Sequence, residues 1–141
     1  PLTEQEHKNL YQNIQKMTAS AKIKLALLGN KEARNILIRD ANKLVAAAVV
    51  KSPKVTESEI AMVSQSRNVS EEDLRIISSN KEWMKNYQIK LSIVSNPKTP
   101  LPIAMKYLSS LKGNDLKQLS LSRNISAAVA SSAKRLISGK G

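Results

Sequence analysis

The sequence predicts an all-α fold, a right-handed, solenoid-like stack of short helix-turn-helix repeats with about ten helices and no sheet. Three observations carry that expectation. Apolar residues recur at helical spacing, as in Ile23, Leu27 and Leu28 and again in Leu101, Met105, Leu108 and Leu111, and no stretch alternates like a half-buried strand. Capping signals punctuate the chain at short intervals. The segment Ser66-Arg67-Asn68-Val69-Ser70 returns as Ser122-Arg123-Asn124-Ile125-Ser126, an offset of 56 residues (122 minus 66).

The elements follow from these signals in chain order. Helices are expected near 3–18, 20–28, 31–38, 41–51, 56–65, 70–79, 82–95, 99–111, 114–122 and 126–138. Thr3 with Glu6, Thr56 with Glu59 and Ser70 with Asp73 each set a hydroxyl three residues ahead of a carboxylate, the pattern of a capping box. Val55-Thr56 and Val69-Ser70 add the apolar residue that staples onto Ile60 and Leu74. Thr99-Pro100 reads as a capping threonine before a proline at the first helical position, and Gly29 and Gly113 read as helix terminators. Asn96 lies 28 residues from both Asn68 and Asn124, so these three asparagines, with Asn30, are taken as structural turn residues whose amides bond neighbouring backbone. The same offset pairs Leu91 with Leu119, Ile93 with Leu121, Lys106 with Lys134 and Leu108 with Leu136.

The run Asn96-Pro97-Lys98-Thr99-Pro100, an apolar helix after it and a second helix ending in Arg123-Asn124 resemble the leucine-rich repeat variant and, more loosely, HEAT-like helical repeats. The resemblance covers about residues 44 to 138 and departs from the pattern where Val69 and Ile125 stand in place of proline. The chain as a whole also resembles a helical-repeat domain of deltaproteobacterial proteins. These resemblances imply an interaction surface, with nucleic-acid binding in a minority of such families. Residues 1–141 are expected to form one domain, in which 1–40 cap the stack and 41–141 are repeats, most regular from 63 onward.

Composition narrows the chemistry. Hydrophobic residues make up 41% of the 141, but there is no Phe, one Trp and three Tyr, which calls for an aliphatic core. With no cysteine and a single histidine, His7, the chain offers neither a thiolate nor a transition-metal ligand set, and no cofactor is expected. No serine lies in a G-x-S-x-G turn, and the four glycines form no phosphate-cradling loop. Glu57, Glu59, Glu71, Glu72 and Asp73 cluster, yet all fall in first turns where they complement helix dipoles. A non-enzymatic role is the expectation. Trp83 and Tyr87, four apart, are read as sharing a helix face and filling a core gap rather than stacking a base.

Net charge is +12, and from Trp83 onward ten basic residues face one acid, Asp115. Cations accompany the repeat turns: Lys31, Lys54, Arg67, Lys98 and Arg123, with Lys106, Lys134 and Arg135 on the helices nearby. A regular stack would align Lys54, Arg67, Lys98, Lys106, Arg123, Lys134 and Arg135 as a basic ridge. Two partners suit such a ridge. An acidic protein surface is favoured, since complementary charge steers association, and DNA or RNA is the alternative, with phosphates as the ligand but few aromatics for stacking. No apolar run is long enough to span a bilayer, and a cytoplasmic location is expected.

Overall fold

The computed structural model describes residues 1–140, and these form eleven helices with no strand among them. In order they are α1 (Glu4–Gln15), α2 (Ala19–Leu28), α3 (Lys31–Leu37), α4 (Lys43–Lys51), α5 (Glu57–Gln65), α6 (Glu71–Ser79), α7 (Lys81–Met84), α8 (Tyr87–Ser95), α9 (Leu101–Leu108), α10 (Gly113–Leu121) and α11 (Ala127–Lys140). None of the described helices is long and apolar enough to cross a membrane.

Most of these helices begin where a short polar side chain can cap them. Thr3 and Glu6 complete a reciprocal capping box on α1, and Thr18, Asn30, Asn42, Ser70, Asn80 and Asn86 each accept a first-turn N–H. Asn86 explains the one helix more than expected. Its Oδ1 accepts from Gln88 and Ile89, while Lys85 already closes the short α7, so the stretch 82–95 is two helices.

Two other expected starts and stops are corrected. Thr99 is no cap: α9 begins after Pro100, and the Thr99 hydroxyl instead donates to the Ile93 carbonyl at 2.6 Å. Gly113 opens α10 rather than ending a helix. Gly29 does close α2, but with φ −80° it needs no left-handed backbone; a Cβ there would meet the Leu25 carbonyl oxygen at 2.6 Å. Close approach is what calls for glycine at that position.

The chain divides into two compact units, Pro1–Thr56 and the segment from Glu57 onward. In the first, α2 packs on α3 and α4, and α1 on α3, around Ile14, Ala26, Leu37, Val45 and Val49. The Lys22 ammonium meets Asp40 at 2.7 Å with both side chains largely buried. Burial alone would raise the Asp40 carboxyl, but hydrogen bonds from Lys22 and the Asn42 N–H, with the Lys22 charge, hold it below its usual value.

In the second unit, α5 packs on α6 and α8, α8 on α9, and both α9 and α10 on α11. Ile60, Leu74, Ile77 and Ile89 are fully buried, and Val94, Leu108, Leu111, Leu116, Leu119 and Ala133 form a continuous aliphatic core. Asp73 is an exception to this apolar interior. It is 1% exposed, its Oδ1 has no hydrogen-bond partner, and burial pushes its carboxyl above the usual range despite hydrogen bonds from Ser70.

Four five-residue linkers share one construction. At 52–56, 66–70, 96–100 and 122–126 the first side chain, Ser52, Ser66, Asn96 or Ser122, accepts from the backbone N–H two residues on, and its own N–H bonds the carbonyl three residues back. This register differs from the expected one. Asn96 corresponds to Ser66 and Ser122, not to Asn68 and Asn124, because hydroxyl and amide oxygens perform the same task. Burial agrees, since Ile93 is buried whereas Leu121, its partner at the 28-residue offset, is 74% exposed. The nearest relative of the 96–100 linker lies in the first unit. Asn42 and Asn86 cap helices 44 residues apart, Val45, Val49 and Val50 are buried as Ile89, Ile93 and Val94 are, and Ser52 and Asn96 close the pair.

Ser52 and Asn96 also reach outward to another helix in their own unit. Ser52 Oγ donates to the Leu27 carbonyl at the end of α2, and Asn96 Nδ2 donates to the Ser64 and Ser66 carbonyls at the end of α5, at 3.0 and 3.1 Å. Asn96→Ala leaves those carbonyls and the Lys98 N–H without this partner, and urea denaturation should show a loss of about 2–4 kcal/mol. Asn68 and Asn124 are exposed, so the same change there should cost less than about 0.5 kcal/mol.

The two unusual aspartates predict opposite pH behaviour. Asp40, with its lowered value, contributes stability above the ordinary carboxylate range that is lost as pH falls through its folded value. Asp73, with its raised value, contributes most in acid and loses that contribution as pH rises through its folded value. Thermal melts from acid to neutral pH should therefore show Asp73→Asn raising the neutral melting temperature and Asp40→Asn lowering it.

Candidate interaction surface

The linkers fall into two kinds by the residues that follow the first. Ser52-Pro53-Lys54 and Asn96-Pro97-Lys98 place a lysine third, and a further backbone bond from the fourth residue to the first carbonyl closes each as a turn, Val55 to Ser52 and Thr99 to Asn96. Ser66-Arg67-Asn68 and Ser122-Arg123-Asn124 place an arginine second. The fourth residues, Val55, Val69, Thr99 and Ile125, are buried or half-buried, while Lys54, Arg67, Lys98 and Arg123 are all exposed. Each linker thus turns one small side chain inward and one cation outward.

The expected ridge residues are distributed as follows. Arg67, Lys98 and Arg123 stand on three linkers of the second unit, and Lys106, Lys134 and Arg135 on α9 and α11, which pack on each other. All six are exposed. Lys106 holds its ammonium 5.3 Å from the Tyr107 ring centroid, and Arg135 donates to Ser132 Oγ at 2.9 Å. Lys54 belongs to the first unit, where its Nζ donates to the Leu28 carbonyl at 3.1 Å and so neutralises a helix end as well as presenting charge. Of the asparagines, Asn30 caps α3 through Ala33, Asn96 is the buried clamp, and Asn68 and Asn124 stand exposed within their linkers.

The lone acid of the C-terminal stretch is tied down. Tyr87, at the start of α8, donates its hydroxyl to Asp115 Oδ2 at 2.5 Å and accepts the Lys112 N–H at 2.9 Å. The Lys112 ammonium sits 4.7 Å from the same ring. Burial, with the Asp115 hydrogen bond and charge, raises the Tyr87 phenol above its ordinary value, and the Lys112 N–H opposes that rise. Tyr87 therefore serves as a cap for α10, whose own N-cap residue Lys112 supplies no side-chain bond.

Trp83 does not share a helix face with Tyr87, because α7 ends at Met84 and α8 begins at Tyr87. Met84 is buried, whereas Trp83 is half-buried and borders a shallow cleft of about 480 Å³ with Glu57, Glu82, Lys85 and Asn86. Lys85 pairs with Glu82 at the edge of that cleft at 3.1 Å. His7 is exposed on α1, and no cluster of potential metal ligands occurs among the described residues.

A larger groove of about 860 Å³ opens between α8 and α10. Leu91 and Ser95 line it from α8, Asn114, Lys117 and Leu121 from α10, and Ile125 from the linker beyond. The sequence did carry a signal for it. Position by position, the residue before each linker is Lys51, Gln65, Ser95 and Leu121, so the fourth departs from a polar pattern. Matching Leu121 to buried Ile93 at the 28-residue offset hides that departure.

Comparison of this chain with protein-family models, with curated proteins and with solved structures finds no match.

Proposed function

We propose that the chain is a non-enzymatic binding scaffold, a right-handed helical-repeat stack akin to the leucine-rich repeat variant and HEAT-like repeats, which engages an acidic protein surface. The observation that carries this reading is the common linker: one hydrogen-bonding design used four times, each time presenting an exposed cation. In each linker the second and third residues are exposed, and one of the two is Lys or Arg every time. Arg67, Lys98 and Arg123, with Lys106, Lys134 and Arg135, form the contact set in the second unit, and Lys54 contributes from the first.

A protein partner is favoured over nucleic acid by what surrounds the cations. Tyr87 and Tyr107 have their hydroxyls committed to Asp115 and the Ser78 carbonyl, and each ring already holds a lysine ammonium nearby. They are poor platforms for stacked bases. The net charge of +12 would still attract phosphates, so DNA and RNA are the competing ligands.

Fluorescence anisotropy with three labelled probes tests the reading at low and physiological salt. The probes are a Glu/Asp-rich peptide with leucines at helical spacing, a mixed-sequence DNA duplex and a single-stranded RNA. The peptide should bind in the micromolar range at physiological salt, and Arg67→Ala, Lys98→Ala and Arg123→Ala combined should weaken it about tenfold. Tighter binding of duplex or single strand, with a steep fall as salt rises, would move the function to nucleic acid. Binding of none of the three would overturn the scaffold reading.

A further inference from the structure

We infer that the groove between α8 and α10 receives an acidic, amphipathic helix of a partner protein, with an apolar side chain seated against Leu91, Leu121 and Ile125 and carboxylates meeting Lys117 and Arg123. The inference rests on the scaffold reading and names where its partner docks.

Leu121 is the strongest single indication. It is 74% exposed at the end of α10, so the fold gains little from it, and the corresponding helix ends carry Lys51, Gln65 and Ser95. A large aliphatic side chain at a position that elsewhere is polar, bordering a groove with Leu91 and Ile125, is an unfilled apolar contact. The spacing of the wall matches a helical ligand. Asn114, Lys117 and Leu121 follow one another on the exposed face of α10, and Leu91 and Ser95 are one turn apart on α8.

The ligand must satisfy its own backbone. Both walls are helices, so the groove provides no strand edge for an extended peptide to pair with. An amphipathic helix laid between two helices meets that requirement.

Charge chooses among helices. Along the sequence the stretch from Trp83 carries ten cations and one acid, and that acid, Asp115, lines the groove with its carboxylate engaged by the Tyr87 hydroxyl. Lys117 lines the groove, and Arg123 lies in the linker between the lining residues Ser122 and Ile125. A second copy of this chain, itself at +12, is a poor occupant on the same ground.

The test uses the full chain labelled with ¹⁵N and titrated with the leucine-bearing acidic peptide. Amide shifts should concentrate at Leu91, Lys117, Leu121 and Ile125, and replacing the peptide leucines by serine should weaken binding at least about tenfold. Leu121→Ser should weaken it to a similar degree with the melting temperature unchanged, as its exposure requires. Lys8→Ala with Lys24→Ala, exposed in the first unit and outside both the groove and the contact set, should change the affinity no more than about threefold. If the peptide binds but its leucines and Leu121 prove irrelevant, or the shifts fall elsewhere, the groove assignment is overturned while the scaffold reading stands. If the peptide does not bind at all, both fall.

Discussion

A helix of nine residues is mostly ends. Its first four N–H groups and last four carbonyls have no partner within the helix, so a chain built from helices this short must supply bonds for nearly half of its helical backbone groups from outside. Here part of that supply comes from side chains elsewhere in the same unit: Ser52 to Leu27, Lys54 to Leu28, Asn96 to Ser64 and Ser66, and Tyr107 to Ser78. Each such bond does two things together, closing a helix and fixing its neighbour. The aliphatic core supplies most of the favourable free energy, but Leu, Ile and Val contacts alone are tolerant of sliding; the polar bonds set the register.

The same economy separates structure from surface in the linkers. With the first residue holding the turn and the fourth buried or half-buried, the second and third positions face outward, and it is there that Lys54, Arg67, Lys98 and Arg123 appear. The carboxylates are used differently. Glu57, Glu59, Glu71, Glu72 and Asp73 sit in first turns of α5 and α6, where they complement helix dipoles. Positive charge is left to the outward surface because so much of the negative charge is spent on helix starts, and the imbalance is greatest after Trp83 where only Asp115 remains.

Helical periodicity and capping chemistry were legible in the chain itself. Thr3 with Glu6 and Ser70 ahead of Asp73 act in the helices where their spacing places them. What was hidden is chemical equivalence between different letters. Asn96 performs the task of Ser66 and Ser122, and matching asparagine to asparagine displaces the register by two residues, which sends Leu121 into the core on paper. Asn86 was hidden for another reason: the apolar run through Trp83, Met84 and Tyr87 continues across the break, so periodicity alone sees one helix. The candidate surface was readable as a set of cations, but the groove depends on which face of α10 turns away from α11, and that is decided by tertiary packing.

The Tyr87 phenol oxygen, resting on the Lys112 N–H, has a bearing on how such a chain could lengthen or shorten over evolutionary time. The start of α10 is held by a residue 25 positions earlier, so the cooperative module does not coincide with the stretch between two linkers. Cutting or duplicating the chain at a linker boundary would strand α10 without its closing oxygen and Asp115 without its donor. A viable insertion or deletion would have to keep α8 and α10 together, because the oxygen that closes the start of α10 belongs to α8.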